Sequence, residues 1–168
     1  MSEFSSIKPE QLQGNVFDKI GNQWMLITAG DGNSFNTMTA SWGGMGVLWS
    51  RPVAFAFIRP TRYTYEFVEK SDRFSLSFYD ENYREALNLC GTKSGRDLDK
   101  AKATGLTPVE AEKTVYFEQA KLVLICKKLY SDDFKQQNFI DRSVDEQMYH
   151  GDYHRMYIGE IEKILIKK

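Results

Sequence analysis

The ten-residue segment RPVAFAFIRP, Arg51–Pro60, constrains the fold more than any other part of the sequence. Its large residues Val53, Phe55 and Phe57 alternate with alanines, which is the two-residue period of a β-strand. Proline has no backbone N–H to donate, so a proline near each end marks where the strand begins and stops. We therefore predict a sharply bounded strand here and a fold built around a β-sheet.

The rest of the chain shows the strand period more often than the helix period. Further strands are predicted at QWMLITAG, at its hairpin partner SFNTMTASW, and at RFSLSFY, AKLVLICKKLY and RMYIGEIEKILIKK. Short helices are predicted at Thr61–Asp72, Glu81–Gly91 and Gly95–Gly105, with Thr61 and Asp97 as N-caps. Helices that do not follow strands one for one argue against a doubly wound parallel sheet. The sequence predicts a mainly β fold with short helices.

Charge and composition exclude several classes of protein. The 168 residues include 22 Lys and Arg against 23 Asp and Glu, and this balance offers no general attraction for nucleic acid or an anionic membrane. The polar N-terminus lacks the apolar region of a signal peptide, and no apolar run is long enough to span a bilayer. Cys90 and Cys126 are expected to be packed thiols. We predict a cytoplasmic protein of one domain, residues 1–168, with residues 1–20 as an N-terminal arm.

Familiar catalytic and metal-binding motifs do not occur in the sequence. The two glycines of GDGNSF are not followed by the third glycine and the helix of a dinucleotide fingerprint. His150 and His154 are the only histidines, and the GDY between them predicts a turn rather than a helix that presents both rings to zinc. We expect no metal site.

A basic turn rich in hydroxyl groups follows the proline-bounded strand. Arg59, Thr61, Arg62 and Thr64 surround the predicted start of a helix. Guanidinium groups, hydroxyls and the free N–H groups of a helix N-terminus together suit a phosphomonoester. The alternative is that Thr61 only caps the helix while the arginines are solvated or pair with nearby glutamates.

A second basic cluster, CGTKSGRD, places Lys93, Ser94 and Arg96 in a glycine-flanked turn before a helix. Taken alone it reads as an ordinary loop. Two such clusters in a nearly neutral chain favour a single anion-binding pocket.

The segment SFNTMTASWGGMG carries small hydroxyls where a core strand would carry Val or Ile. Thr37, Thr39 and Ser41 share one face, and glycines follow Trp42. A planar heterocycle such as an isoalloxazine could be hydrogen-bonded by this backbone and flanked by Trp42. The alternative is an edge strand with solvent-facing hydroxyls.

Four segments, NTMTASW, RPTRYTYEFV, TKSGRD and DYHRMYIGEI, together resemble the flavin reductase-like family with an FMN-binding split barrel, which includes the flavoredoxins. The resemblance runs from about Gly21 to the C-terminus. It implies a six-stranded Greek-key split β-barrel, usually a homodimer, with FMN held non-covalently near the subunit interface.

The resemblance also implies a set of site residues. Those expected to line the isoalloxazine and ribityl region are Asn36, Thr37, Met38, Thr39, Ala40, Ser41 and Trp42. Those expected to hold the phosphate are Arg59, Thr61, Arg62, Thr64, Lys93 and Ser94. His154 is expected near the flavin or the nicotinamide, and it is the side chain to test as a catalytic acid, because the ordinary histidine pKa suits proton transfer.

The function that the resemblance implies is an NAD(P)H-dependent flavin reductase, in which hydride passes from NADH or NADPH to N5 of FMN. One alternative is an FMN-containing electron-transfer protein that a partner protein reduces. Another is a binding module that has lost the cofactor, and the retained Arg59, Thr61, Arg62 and Lys93 argue against it. The first two remain open, as does the choice between NADH and NADPH, since no recognisable nicotinamide motif is expected in this fold.

Overall fold

The computed structural model describes residues 3–168 and contains ten strands and five α-helices in that range. The strands are β1 (Phe4–Ile7), β2 (Met25–Gly30), β3 (Phe35–Ala40), β4 (Gly44–Leu48), β5 (Arg51–Ile58), β6 (Arg73–Phe78), β7 (Pro108–Ala111), β8 (Thr114–Phe117), β9 (Leu122–Asp133) and β10 (Arg155–Lys167). The helices are α1 (Val16–Asp18), α2 (Tyr63–Lys70), α3 (Arg84–Thr92), α4 (Lys100–Thr104) and α5 (Arg142–Met148). Short 3-10 turns lie at Pro9–Gln11, Glu81–Tyr83 and Gln136–Asn138, and a π-helical turn at Lys19–Gln23.

Eight of the strands within residues 3–168 form one antiparallel sheet. Its order is β3-β2-β6-β9-β10-β5-β4, with β1 paired to β10, while β7 and β8 form a separate hairpin. Side chains from β2, β3, β5, β6, β9 and β10 meet in a single apolar cluster, so the sheet curls around this core as a split barrel. The predicted fold class is confirmed. The main sheet has eight strands rather than the predicted six, because β1 and the glycine-rich β4 also pair into it.

The proline-bounded strand is β5, and its small side chains face the core. Ala54, Ala56 and Ile58 are buried, whereas Phe55 and Phe57 on the opposite face are half-buried. The alternation therefore identified the strand but did not show which face lies inside. In β6, by contrast, the large residues of the alternation are the core residues Phe74, Leu76 and Phe78.

A second apolar cluster lies on the other face of the sheet, beneath α3, α4 and β8. Leu26, Val123 and Ile125 of the sheet pack there with Leu87, Cys90, Ala101 and Phe117. Cys90 in this cluster and Cys126 in the barrel core are buried and unpaired, which confirms the prediction of packed thiols. Burial raises the pKa of Cys90 to about 11 and raises that of Cys126 as well.

The pairing of β9 with β10 shifts register beside Gly159. A Cβ atom added at Gly159 would lie 2.8 Å from Cys126 Cβ and 2.8 Å from Phe74 Cζ. No larger residue fits there unless the backbone moves, so the absence of a side chain lets the two long strands close over the core.

Two tight hairpin turns hold non-glycine residues at positive φ. Trp49 (52°) and Ser50 (57°) connect β4 to β5, and Glu112 (51°) and Lys113 (60°) connect β7 to β8. Two central residues with positive φ form a type I′ turn, which matches the twist of the flanking strands and usually contains Asn and Gly. All four side chains therefore raise the energy of the turns that they occupy.

The predicted helices form, but their caps differ from the prediction. Arg62 rather than Thr61 is the N-cap residue of α2, and it makes no side-chain capping hydrogen bond. Asp99 rather than Asp97 caps α4, accepting a hydrogen bond from the backbone N–H of Lys102 at 3.1 Å. The closer aspartate is used because α4 is shorter than predicted.

The N-terminal segment is part of the sheet. Phe4–Ile7, expected in an arm, forms β1 against the end of β10. The first two residues lie outside the described range, and the division of residues 1–168 into one domain stays a prediction. Within residues 3–168, no helix is long and apolar enough to cross a membrane.

Candidate functional site

Two adjoining cavities lie between β3, α3 and the segment that joins β5 to α2. The strand cavity, about 200 Å³, is lined by Met38, Thr39, Ala40, Ser41, Trp42, Arg59, Arg62, Gly91 and His154. The basic cavity, about 180 Å³, is lined by Thr61, Arg62, Tyr63, Thr64, Thr92, Lys93, Ser94, Gly95 and Lys100. Arg62 lines both, so the two cavities adjoin at this side chain. Their combined volume reaches the lower end of the roughly 300–1,000 Å³ range typical of small-molecule sites.

The hydroxyl groups of β3 bind to the protein itself. Thr37 Oγ1 lies 2.8 Å from Thr28 Oγ1 and donates to the carbonyl of Ile27 at 3.2 Å. Thr39 Oγ1 donates to the carbonyl of Leu87 in α3. Among residues 3–168, β3 stands at one end of the sheet order, so one side of its backbone has no neighbouring strand there. The part of β3 that can serve a ligand is therefore its backbone rather than its hydroxyl row.

The predicted ring-binding residues divide into two groups. Met38, Thr39, Ala40, Ser41 and Trp42 come together in the strand cavity. Asn36 and Thr37 instead line a polar cavity of about 480 Å³, which shares Tyr63, Gly95 and Lys100 with the basic cavity.

The side-chain amide of Asn36 is buried and holds two elements of the fold together. Its Nδ2 donates to Thr64 Oγ1 at 2.8 Å and so joins β3 to α2. Thr64 was predicted to bind phosphate. Its hydroxyl oxygen accepts this hydrogen bond from Asn36, and its side chain lines the edge of the basic cavity.

The basic cavity lies at the N-terminus of α2 and is built for an anion. Arg62 is half-buried there and donates to the carbonyl of Gly91 at 3.0 Å; burial lowers the pKa of its guanidinium. In the first turn of α2 the N–H of Tyr65 donates to the carbonyl of Arg62 at 3.0 Å, which leaves the N–H groups of Tyr63 and Thr64 without a helical acceptor, and α2 has no side-chain cap. Lys93 and Ser94 line the same cavity. Positive charge and free N–H groups together suit an oxyanion.

Lys100 is a site residue that the sequence analysis missed. It is 6% exposed, and its Nζ donates to the carbonyl of Thr37 at 2.7 Å and to that of Cys90 at 2.8 Å. An ammonium has three protons to donate, which leaves one for the basic cavity that Lys100 lines. Burial lowers its pKa to about 8. In the sequence it looks like the exposed Lys102, and only the packing of α4 against β3 and α3 separates the two.

Arg59 and Thr61 hold the segment before β10. Arg59 donates to the carbonyl of Asp152 at 2.7 Å and to that of Met148 at 2.9 Å, and Thr61 Oγ1 donates to the Asp152 carboxylate at 2.8 Å. Arg59 lines the strand cavity, whereas Thr61 lines the basic one with its hydroxyl already bound to Asp152. The proposed contact of these two residues with a phosphate therefore stays a prediction, with Arg62, Lys93 and Lys100 better placed.

His154 lies buried at the wall of the strand cavity. Its Nδ1 is 2.8 Å from the hydroxyl of Tyr149, and its ring centroid is 5.1 Å from that of Trp42. Burial, and then the nearby Arg59 guanidinium, lower the pKa of His154 to about 4. The ordinary pKa assumed for a catalytic acid does not hold here. With a pKa of about 4 the imidazole is neutral near pH 7. Its place in catalysis stays a prediction, and Tyr149 is a second residue that the sequence did not reveal.

An apolar groove of about 680 Å³ adjoins the strand cavity through Ser41 and Trp42. Its apolar side chains are Val16, Phe17, Ile20, Trp42, Met45, Phe57 and Phe134. The glycines beside Trp42 serve packing here: a Cβ at Gly43 would lie 3.0 Å from the carbonyl oxygen of Phe55. Among residues 3–168, no three His, Cys, Asp or Glu side chains converge as a metal site would require.

Comparison with known proteins relates this geometry to a family. The model of the flavin reductase like domain matches residues 17–168. No curated protein matches the chain.

Solved structures of about 20% identity share the fold. The FMN-binding protein of Thermus thermophilus is 20% identical, with a TM-score of 0.68 over 94% of this chain and 79% of that chain. The flavoredoxin of Desulfovibrio vulgaris (Miyazaki F) is 21% identical, with a TM-score of 0.68 over 94% of this chain and 78% of that one. An NADH:FAD oxidoreductase of Streptomyces globisporus C-1027, solved with NAD and FAD fragments, is 17% identical, with a TM-score of 0.62 over 84% and 73% of the two chains.

Proposed function

Since the chain belongs to the flavin reductase-like domain family, we propose that it binds FMN and acts as an oxidoreductase that takes electrons from NADH or NADPH. The observation that carries this proposal is that Arg62 lines both cavities, so that the strand cavity and the basic cavity lie side by side. A ligand that joins a planar polar ring to a phosphomonoester needs a backbone edge at one end and an oxyanion site at the other. FMN has these two parts.

The chain's residues fit the phosphate end of FMN. Arg62, Lys93 and Lys100 supply positive charge, and the first turn of α2 supplies N–H groups without a side-chain cap. A phosphomonoester carries nearly two negative charges, so it would offset the repulsion among three cations that otherwise share a small cavity. The thermodynamic benefit of binding would be largest at Arg62 and Lys100, because both are shielded from water.

The strand cavity fits the ring end. A bound flavin supplies the hydride and electron chemistry. The backbone of Thr39, Ala40 and Ser41 would orient the ring by hydrogen bonds, since the hydroxyls of Thr37 and Thr39 already donate their protons within the protein. Trp42, which is 42% exposed, and the neutral His154 form the rim beside it. These groups would hold the ring in place and keep water from one side.

Binding is tested by titrating the purified protein with FMN and with riboflavin, which lacks the phosphate. Arg62→Ala is expected to weaken FMN binding by about 10- to 100-fold, the cost of losing a charge-assisted hydrogen bond, with little change for riboflavin. Arg96→Ala is the matched control, because Arg96 pairs with Glu66 and lies over the Tyr63 ring. Equal losses of both ligands in Arg62→Ala would contradict the phosphate assignment, and no binding of either flavin would contradict the proposed function.

The electron donor is tested separately. Anaerobic addition of NADH or NADPH to the FMN-loaded protein is expected to bleach the flavin absorbance. A second candidate function is an electron carrier reduced by a partner protein, which the similarity to flavoredoxin favours. Full bleaching by dithionite combined with none by either nicotinamide would support the carrier and contradict the reductase.

A further inference from the structure

The hydrogen bond between Tyr149 and His154 ties a wall of the strand cavity to an aromatic cluster outside it. Tyr149 Oη lies 2.8 Å from His154 Nδ1, and the two residues are 6% and 8% exposed. Tyr153 stacks on the Tyr149 ring with centroids 5.0 Å apart, and the Arg59 guanidinium lies 5.0 Å from the centroid of the same ring. The phenol is therefore held in a fixed position.

The direction of this hydrogen bond follows from what each group can donate. Burial raises the pKa of Tyr149, so its hydroxyl keeps its proton. Within residues 3–168, His154 Nδ1 is the acceptor found within hydrogen-bond distance of that hydroxyl. If Nδ1 carried a proton instead, the phenolic hydrogen would be buried without an acceptor, which is unfavourable. Tyr149 therefore donates, Nδ1 accepts, and the proton of the neutral imidazole resides on Nε2.

We propose that Tyr149 is a positioning residue that fixes His154 in its Nε2–H tautomer, so that His154 presents an uncharged hydrogen-bond donor to the strand cavity. The Nδ1 edge of the ring faces Tyr149, and the opposite edge is the one available to the cavity that His154 lines. Resting on the proposed function, the acceptor is an oxygen or nitrogen atom on the flavin ring. An uncharged donor at this place selects for an acceptor without requiring a negative charge.

The tautomer is measured without flavin, by imidazole 15N NMR of the labelled protein. With two histidines in the chain, His150→Gln leaves only the signals of His154. The expected spectrum has an unprotonated, hydrogen-bonded Nδ1 and a protonated Nε2. In Tyr149→Phe the Nδ1 acceptor signal is expected to shift and the two tautomers to mix. A protonated Nδ1 in the unsubstituted protein, or an unchanged spectrum in Tyr149→Phe, would overturn the proposal.

Tyr153→Phe is the matched control, because its hydroxyl donates to Asp145 at 2.7 Å and not to His154. It removes a phenol from the same aromatic cluster and is expected to leave the His154 tautomer unchanged. If Tyr153→Phe shifts the signals as much as Tyr149→Phe, the effect comes from general loosening of the cluster and the proposal fails.

Flavin titration then separates this proposal from the proposed function. Tyr149→Phe is expected to weaken FMN and riboflavin equally, by about three- to tenfold, since the Nε2–H donor is no longer held in place at the ring. Loss confined to FMN would contradict a contact at the ring. If no flavin binds even the unsubstituted protein while the Nε2–H tautomer is found, the proposed function and the ring contact fail and the positioning of His154 by Tyr149 stands.

Discussion

His154 is buried in its neutral form. Acid therefore destabilises the folded protein, because protonation of this imidazole is less favourable in the folded state than in the unfolded state. Its pKa is about 4 in the folded chain against an ordinary 6.5, so between these values the unfolded state binds more protons. Stability is therefore complete above pH 6.5 and falls as the pH drops towards 4, by up to about 3 kcal/mol. We expect His154→Gln to flatten this part of the curve when urea unfolding is followed at several pH values.

The other histidine provides the control for this prediction. His150 is exposed, and His150→Gln is expected to leave the slope between pH 6.5 and 4 as it is. The same slope in His154→Gln as in the unsubstituted protein would show that other groups cause the acid sensitivity.

The lowered pKa of Lys100 predicts that ligand affinity falls as the pH rises. Its pKa of about 8 means that its positive charge is lost as the pH rises through this value, while a bound phosphate would move the midpoint upwards. FMN affinity is expected to fall roughly tenfold between pH 7 and pH 9.5, with no matching fall for riboflavin. Lys100→Met should weaken FMN binding at pH 7 and abolish the difference in FMN affinity between pH 7 and pH 9.5. Lys102→Met, on the exposed face of the same helix, should behave like the unsubstituted protein.

At the residue scale the sequence located the site better than it assigned roles within it. Lys93 and Arg62 were found because they stand next to glycines, threonines and a predicted helix start. Lys100 was not, because its burial depends on carbonyls of Thr37 and Cys90 that are remote in sequence. The hydroxyls of β3 were visible, but their partners on β2 and α3 were not.

Strands were predictable where alternation is strong. Six of the predicted segments correspond to β2, β3, β5, β6, β9 and β10, each with a local apolar pattern. β4 was not among the predicted strands, because Gly44 and Gly46 are poor strand residues and only its pairing with β5 makes it a strand. β1 likewise depends on its partner at the far end of the chain. Tertiary pairing decides such segments, and a single sequence does not show it.

The hairpin β7–β8 offers a test of local strain. Lys113 has φ 60° in a type I′ turn, a conformation that glycine adopts without cost. Lys113→Gly is expected to raise the free energy of unfolding by about 1 kcal/mol, measured by urea denaturation. Lys102→Gly makes the same replacement inside α4 and is expected to lower it by about 1 kcal/mol. A decrease in both variants would show that the turn is not strained.

The whole molecule exposes apolar surface near the site. Phe17 is 88% exposed in the apolar groove, and Val47 on β4 is 79% exposed at an open end of the sheet. Exposed apolar side chains near the open edge of a sheet are typical of an interface. We expect the homodimer that the family resemblance implies.

Light scattering after size-exclusion chromatography should therefore give twice the chain mass of 19.4 kDa. Val47→Lys is expected to shift the protein towards the monomer as it is diluted, because a charge would enter the apolar contact. Circular dichroism controls for folding of the variant. A monomer at high concentration in the unsubstituted protein would contradict the expectation.

The two unpaired cysteines let the chain report on its own opening. Only a thiolate reacts with an alkylating reagent, and burial keeps both thiols protonated and out of reach. Labelling therefore requires that the layer covering each sulfur opens transiently and exposes the thiol. Cys126 lies within the barrel and Cys90 on the buried face of α3, so mass spectrometry of the two labelled peptides would time barrel opening and helix detachment separately. The opening rates of the two layers can therefore be compared without an introduced probe.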